Sequence, residues 1–146
     1  MRIVLSILAV CWLVAAEPAP DVVKKEMALF DGEWTMVSGE RAGMALPEDL
    51  VQGAKRVAKD GETTVTIGGS TFLTAKYTID PSKKPKSIDY MLSDGPNKGK
   101  KQLGIYEIAG DTLKFCFAGP GAERPTDFTA KADSGRTLSV WKRATK

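Results

Sequence analysis

The apolar positions along the chain change their period near residue 32. Between Asp21 and Phe30, the apolar residues Val23, Met27 and Phe30 recur at spacings of four and three, which predicts a short helix capped by Asp21. Gly32 ends this helix. Beyond it, apolar and polar residues alternate, and turn residues recur about every 8 to 15 positions, which is typical of an antiparallel sandwich or barrel.

The alternation predicts nine strands, each with one apolar and one polar face. The strands cover residues 33–41, 54–59, 62–67, 71–79, 87–93, 101–108, 111–118, 126–131 and 136–143. Several turns between them, such as Asp60-Gly61, contain residues that tolerate positive φ. The predicted fold is therefore all-β.

Three long links are expected at one end of this sheet if consecutive strands are antiparallel neighbours. Residues 94–100 and 119–125 both follow strands that run in the same direction, and the 42–53 link joins them there if it also reverses the chain. Within that link, residues 46–50 predict a turn of helix with Pro47 at its first position. The predicted barrel therefore has one end with three long loops, which form its opening, and another end with mostly tight turns.

The N-terminal segment predicts export. Arg2 precedes an apolar run over residues 3–16, which is too short for the ~20 helical residues that span a bilayer. Val14-Ala15-Ala16 fits the cleavage site of a secretory signal. We expect a signal peptide over 1–16, a short helical segment over 17–31 and an extracytoplasmic β domain over 32–146. The alternatives are an uncleaved anchor and a lipoprotein modified at Cys11.

The composition excludes several kinds of chemistry. The sequence contains no histidine, which excludes Ser-His-Asp and Cys-His catalysis and any His-ligated metal. Once Cys11 is removed with the signal, Cys116 has no partner for an internal disulfide. Removal of Arg2 with the signal lowers the formal charge from +3 to +2, which is too mild to indicate a nucleic-acid partner. We expect no enzymatic activity, no metal or cofactor, and no transmembrane segment in the mature chain.

Gly32-Glu33-Trp34 enters the first strand after a short helix and resembles the Gly-x-Trp signature of lipocalins and related barrels. In those proteins the tryptophan plugs the closed end of the barrel beneath a basic side chain from the last strand. The resemblance implies that Trp34 is a structural plug, with Arg143 or Lys142 in cation–π contact with it. The alternative is an ordinary core tryptophan that follows a helix-ending glycine.

A longer series of landmarks resembles one particular family. The landmarks are Gly32-Glu33-Trp34 with residues 38–41, residues 80–89, Gly104-Ile105-Tyr106-Glu107, residues 110–117 and Glu123-Arg124-Pro125. In this order, over about residues 29–143, they are similar to the uncharacterised lipocalin-like secreted domain that occurs as many paralogues in planctomycete bacteria. The resemblance implies a lipocalin-like antiparallel barrel of about eight to ten strands, and it implies no activity, because that family has no assigned biochemistry.

The inward faces of the strands suggest a binding interior. Its expected lining is Trp34, Met36, Tyr77, Tyr90, Phe115 and Phe117. Apolar walls with a few polar tips are typical of small-molecule sites, so we expect an exported binding module for a small apolar ligand. The alternative is a structural or protein-interaction domain with a filled barrel, because eight-stranded barrels occur in both forms.

The predicted number of strands conflicts with the expected pair of Trp34 and Arg143. Nine up-and-down strands would place the end of the last strand opposite the start of the first. Either one predicted strand is wrong, or the 42–53 link does not reverse the chain.

Overall fold

The computed structural model describes residues 19–145 of the chain. The predicted signal peptide and the alternative lipid attachment at Cys11 lie outside these residues and stay predictions. Within the described part, no helix is long and apolar enough to cross a membrane.

Two short helices and nine strands follow one another along the described residues. The helices are α1 (Pro20–Phe30) and α2 (Glu48–Gly53). The strands are β1 (Gly32–Arg41), β2 (Met44–Ala45), β3 (Ala54–Lys59), β4 (Glu62–Ile67), β5 (Ser70–Asp80), β6 (Lys86–Leu92), β7 (Lys101–Ala109), β8 (Thr112–Phe117) and β9 (Thr137–Arg143).

Eight of these strands close into one antiparallel barrel. From β3 to β9 each strand pairs with the next along the chain, and β1 closes the ring by pairing with both β3 and β9. Trp34 lies at the point of closure, opposite Arg56 on one side and Arg143 on the other. The short strand β2 only extends the hairpin that begins with β1. The prediction of an all-β, lipocalin-like antiparallel barrel is confirmed.

One predicted strand, over residues 126–131, is wrong, because no strand is formed there. Pro125 and Ala130 are instead buried against the outside of the barrel, and Cys116 Sγ donates to the carbonyl oxygen of Thr129 at 3.5 Å. The other eight predicted strands are present with ends that agree to within one residue. With eight barrel strands and a 42–53 link that does reverse the chain, β9 runs antiparallel to β1, and the conflict over Arg143 disappears.

The start of α1 also differs from the prediction. Pro20 is the first helical residue, and the N-cap residue is Ala19, which makes no side-chain cap. Asp21 lies within the first turn, where its charge interacts favourably with the helix dipole, so the predicted cap at Asp21 is wrong. The apolar stripe that contains Val23 and Met27 packs against the core as predicted.

The barrel has a sealed end and an open end. At the sealed end lie α1 and the connections over 60–61, 81–85 and 110–111, whereas the connections over 42–53, 68–69, 93–100 and 118–136 lie at the open end. The helix α2 is part of the first open-end connection. Pro47 is its N-cap residue rather than its first helical residue, so that predicted position is wrong by one.

Gly104 leaves room for the ring of Phe117 in the core. The two residues lie opposite each other on β7 and β8. A Cβ atom at Gly104 would lie 2.5 Å from Phe117 Cδ1 and 3.0 Å from the carbonyl oxygen of Cys116. The ring of Phe117 is itself held 4.3 Å from that of Tyr90, measured between centroids, so it has little freedom to move away.

We expect Gly104→Ala to lower the free energy of unfolding by about 1–3 kcal/mol, the usual cost of overpacking a core. Gly119→Ala is the matched control, because the nearest atom to a Cβ there is 3.9 Å away, and we expect a change below about 0.5 kcal/mol. Urea unfolding measures both values. Equal effects of the two substitutions would contradict the close packing of Phe117 over Gly104.

Candidate functional site

The sealed end of the barrel is built around Trp34, which is 0% exposed. Its Nε1 donates to the carbonyl oxygen of Phe30 at 2.9 Å, which fastens the end of α1 to β1. The Phe30 side chain packs edge-on against Tyr106, with 5.1 Å between the ring centroids. The tryptophan and the last residue of α1 together fill the bottom of the barrel.

Arg143 lies over Trp34, with its guanidinium carbon 4.3 Å from the ring centroid. Its Nη1 and Nη2 donate to the carbonyl oxygens of Asp31 and Leu29, each at 3.0 Å. These carbonyl groups end α1 and would otherwise lack helical partners. Lys142, the other candidate for this position, is exposed. Arg143 therefore joins the last strand to both the tryptophan and the helix.

The six residues predicted to line the interior are in or beside the core. Met36 is half-buried and the other five are buried. Their rings touch, with centroid distances of 4.3 Å for Tyr90–Phe117, 5.4 Å for Phe115–Phe117 and 6.2 Å for Tyr77–Tyr90. If a cavity large enough for water lay beside these rings, their side chains would have exposed surface facing it, yet the five buried side chains have almost none. Side chains therefore fill the interior around these rings.

Arg56 is an interior residue that is not among the six lining residues predicted from the sequence. It is 6% exposed, and its guanidinium carbon lies 4.7 Å from the ring centroid of Phe115 and 4.6 Å from that of Trp141. The alternation of β3 carried a signal for this placement. It puts Arg56 on the same face as Ala54 and Ala58, which are both buried and leave space for a long side chain.

Arg56 belongs to an interior polar cluster with Thr63 and Tyr90, to which we add Tyr77 because its ring lies beside that of Tyr90. Its Nη1 donates to the hydroxyl oxygens of Tyr90 at 2.5 Å and Thr63 at 3.2 Å. Its Nε has no hydrogen-bond partner, and neither does the hydroxyl group of Tyr77, although both are shielded from solvent. Two polar atoms of the cluster are thus buried and unsatisfied.

The charge of Arg56 has no acidic partner among residues 19–145. Three other arginines each contact a carboxylate, in the pairs Arg124–Asp89 (2.6 Å), Arg136–Asp127 (3.2 Å) and Arg143–Asp111 (3.3 Å). A guanidinium does not lose its proton in a protein. Because an uncompensated buried charge is costly, and the two aromatic rings offset only part of that cost, the cluster is suited to binding a negatively charged group.

The connection over 118–136 forms a second, smaller core outside the barrel. Ile105 and Cys116 are buried beneath it, and burial raises the pKa of the Cys116 thiol. Arg124 holds the connection in place, because its Nη1 donates to the carbonyl oxygens of Ile88 at 3.1 Å and Gly104 at 2.8 Å. Cys116 is therefore a packed structural residue rather than a reactive thiolate.

A surface cleft of about 310 Å³ lies beside the 81–85 connection at the sealed end. Its walls include Lys86 and Tyr106, and both side chains are hydrogen-bonded to Glu26 of α1, at 2.5 Å and 2.7 Å respectively. These two side chains are therefore already engaged in holding the helix, and neither of the buried unsatisfied polar atoms lies in this cleft. Among the described residues no group of three or more potential metal ligands occurs.

Comparisons with known proteins assign no relative to this chain. No protein family, no curated protein and no solved structure matches it. The resemblance to the planctomycete lipocalin-like domain therefore stays a prediction, and the fold is established by the strand pairing alone.

The contact between Trp34 and Arg143 can be measured by a double-mutant cycle. Trp34→Leu removes the aromatic face and Arg143→Met removes the cation, and we expect a coupling energy of about 0.5–2 kcal/mol in urea unfolding. Lys142→Met provides the control, because Lys142 is exposed and its cycle with Trp34→Leu should give a coupling near zero. Equal coupling energies in the two cycles would argue against a specific contact.

The tyrosines predict an alkaline limit to stability. All three in the sequence, Tyr77, Tyr90 and Tyr106, are buried, and burial raises the pKa of each hydroxyl group. The folded chain keeps these protons, whereas the unfolded chain releases them near pH 10, so stability falls as the pH rises above about 10. We expect tyrosinate absorbance to appear together with unfolding. A tyrosine that ionises near pH 10 while circular dichroism shows a folded chain would contradict this.

Proposed function

We propose that this protein is an exported binding module that holds a small amphipathic ligand inside its barrel. The observation that carries the proposal is the pair of unsatisfied polar groups, the Nε of Arg56 and the hydroxyl of Tyr77. Leaving such a group buried without a partner costs about 1–3 kcal/mol. A ligand with acceptor atoms would satisfy both groups. The sequence favours an apolar ligand, and the polar cluster indicates that one end of this ligand is polar.

The open end is the proposed entrance. Three half-buried apolar side chains, the mouth residues Met36, Ile67 and Leu73, pack against the core on the open-end side of the cluster. Long, partly exposed side chains can change rotamer to admit a ligand, whereas Trp34 and α1 fill the other end. Burial of ~300 Å² of ligand surface would contribute about 7 to 8 kcal/mol before the costs of ordering and rearrangement. A gain of this size corresponds to a Kd of a few micromolar before those costs are subtracted, so affinities of this order are the tightest that we expect.

Export is the part of the proposal that rests on sequence alone. The short apolar run after Arg2 and the small residues at 14–16 support a cleaved signal peptide. Among residues 19–145 Cys116 forms no disulfide, and this is compatible with export because the closed sheet gives the domain a core of its own.

A structural or protein-interaction domain is the second candidate function. The specific observation in its favour is the contact among the interior rings, since Tyr90, Phe115 and Phe117 already fill the centre of the barrel. In that case the interior would only stabilise the fold, and the open-end loops would contact a partner. Binding measurements distinguish the two candidates, because a permanently filled barrel admits no ligand.

We expect the uncharged apolar dye N-phenyl-1-naphthylamine to bind the protein saturably with a Kd of roughly micromolar. Leu73→Trp should weaken this binding about tenfold or more, because the larger ring obstructs the mouth. Phe72→Ala is the matched control: Phe72 is the preceding residue of β5, is 65% exposed and points away from the interior. Fluorescence titration measures all three values.

The titration also distinguishes binding in the interior from binding to the surface. Loss of dye binding in Phe72→Ala with normal binding in Leu73→Trp would place the dye on the outer face and reject the proposed function. No saturable binding by the unmodified protein would also reject it, and the interaction domain would then be the better description.

A further inference from the structure

The buried polar and charged side chains show an imbalance of charge. Within residues 19–145 they are Arg56, Thr63, Ser87 and Ser139. Arg56 alone among these is charged, and no carboxylate group compensates it. Because a guanidinium remains protonated in a protein, the interior keeps one positive charge. A single negative charge is the complement that would neutralise it.

The free donors of the cluster match a carboxylate group. Arg56 Nε is unpartnered, and so is the hydroxyl of Tyr77. Tyr90 accepts a hydrogen bond from Arg56 through its oxygen, which leaves its own hydroxyl proton available for donation. A carboxylate has two oxygens that together accept about four hydrogen bonds, and it pairs well with a guanidinium. A dianion such as a phosphate monoester would bring a second charge that the cluster does not neutralise.

The surroundings of the charge favour a carboxylate that is attached to an apolar chain. Phe115 and Trp141 both pack against the Arg56 guanidinium, and Trp34 lies opposite Arg56 in the sheet. A free inorganic anion would lose its hydration here and gain no apolar contact, whereas an apolar chain offsets that loss through its own burial. Since Trp34 fills the sealed end, the apolar chain can extend only towards the mouth residues, whose half-buried side chains would change rotamer to admit it.

We propose that the ligand is a monocarboxylate, with its carboxylate on Arg56 and the hydroxyl groups of Tyr77 and Tyr90, and with its apolar chain directed towards the open end. This assignment rests on the proposed binding function. It adds the charge and the orientation of the ligand, which that function leaves undefined.

The test compares octanoate with octanol, which has the same chain length and no charge, and with acetate and chloride at equal ionic strength. Isothermal titration calorimetry gives the affinities, and thermal unfolding gives the stabilisation by the weaker ligands. We expect octanoate to bind about tenfold to a hundredfold more tightly than octanol, the range that charge-assisted hydrogen bonds provide.

Two variants of the cluster locate the effect. Arg56→Met keeps a long side chain and removes the charge, so octanoate should lose its advantage over octanol. The two affinities are compared within this variant, because the Tyr90 hydroxyl loses its hydrogen bond from Arg56 and the Tm is expected to fall. Tyr77→Phe removes only the unpartnered hydroxyl, so octanoate should bind about threefold to tenfold more weakly with no loss of stability. Tyr106→Phe is the matched control, because its hydroxyl is bound to Glu26, outside the cluster, and the octanoate affinity should not change.

The outcomes separate this assignment from the function on which it rests. Octanol binding as tightly as octanoate, or octanoate binding that Arg56→Met leaves unchanged, would overturn the carboxylate assignment and leave barrel binding in place. Stabilisation by acetate through Arg56, with no binding of octanoate or octanol, would support the carboxylate site and reject a barrel that holds larger ligands. Equal stabilisation by chloride and acetate would overturn the assignment in favour of any small anion. No effect of any of these compounds would reject both proposals.

Discussion

The rest of the structure depends on the double pairing of β1. Because β1 pairs with β3 on one side and with β9 on the other, the sheet has no free edge along its barrel strands, and all inward side chains share one limited space. The same pairing brings Trp34 between Arg56 and Arg143. One of these two arginines covers the tryptophan at the sealed end, and the other points into the core. Closure of the sheet thus determines both the plug and the polar cluster.

The two arginines beside Trp34 differ in how their charges are compensated. Arg143 is half-buried, and two carbonyl oxygens and the carboxylate of Asp111 surround it. Arg56 is buried and has two hydroxyl groups and two aromatic rings, which stabilise a cation less completely than a carboxylate does. The difference follows from position. Arg143 reaches the end of α1, where carbonyl groups are free, whereas Arg56 faces only the side chains of the closed interior.

The alternating pattern predicted the fold well because a closed antiparallel barrel has one inner and one outer face throughout. It failed over residues 126–131, where apolar side chains are buried on the outside of the barrel by a connection rather than by a strand. Periodicity detects burial and not its cause, so Ala130 and Phe128 were wrongly assigned to a strand. Arg56 was missed for a related reason: a charged residue is normally read as exposed, and only its two alanine neighbours on the same face indicated otherwise. The six aromatic and apolar lining residues were easier to predict because their burial follows their chemistry.

Stability alone does not account for the polar cluster. An apolar side chain of similar volume at Arg56, together with phenylalanine at Tyr77 and Tyr90, would remove the buried charge and the hydroxyl groups of both tyrosines while keeping the contacts between the aromatic rings. Replacements that make both partners of a buried polar contact apolar are often neutral or stabilising. The two unsatisfied polar atoms both belong to this cluster, whereas the other buried or half-buried arginines have acceptors. Features that cost stability and occur together are characteristic of functional sites. The occurrence of the buried charge and of both unsatisfied polar atoms in one cluster is the physical reason to regard the interior as a binding site. The hollow or filled state of the barrel is a weaker argument.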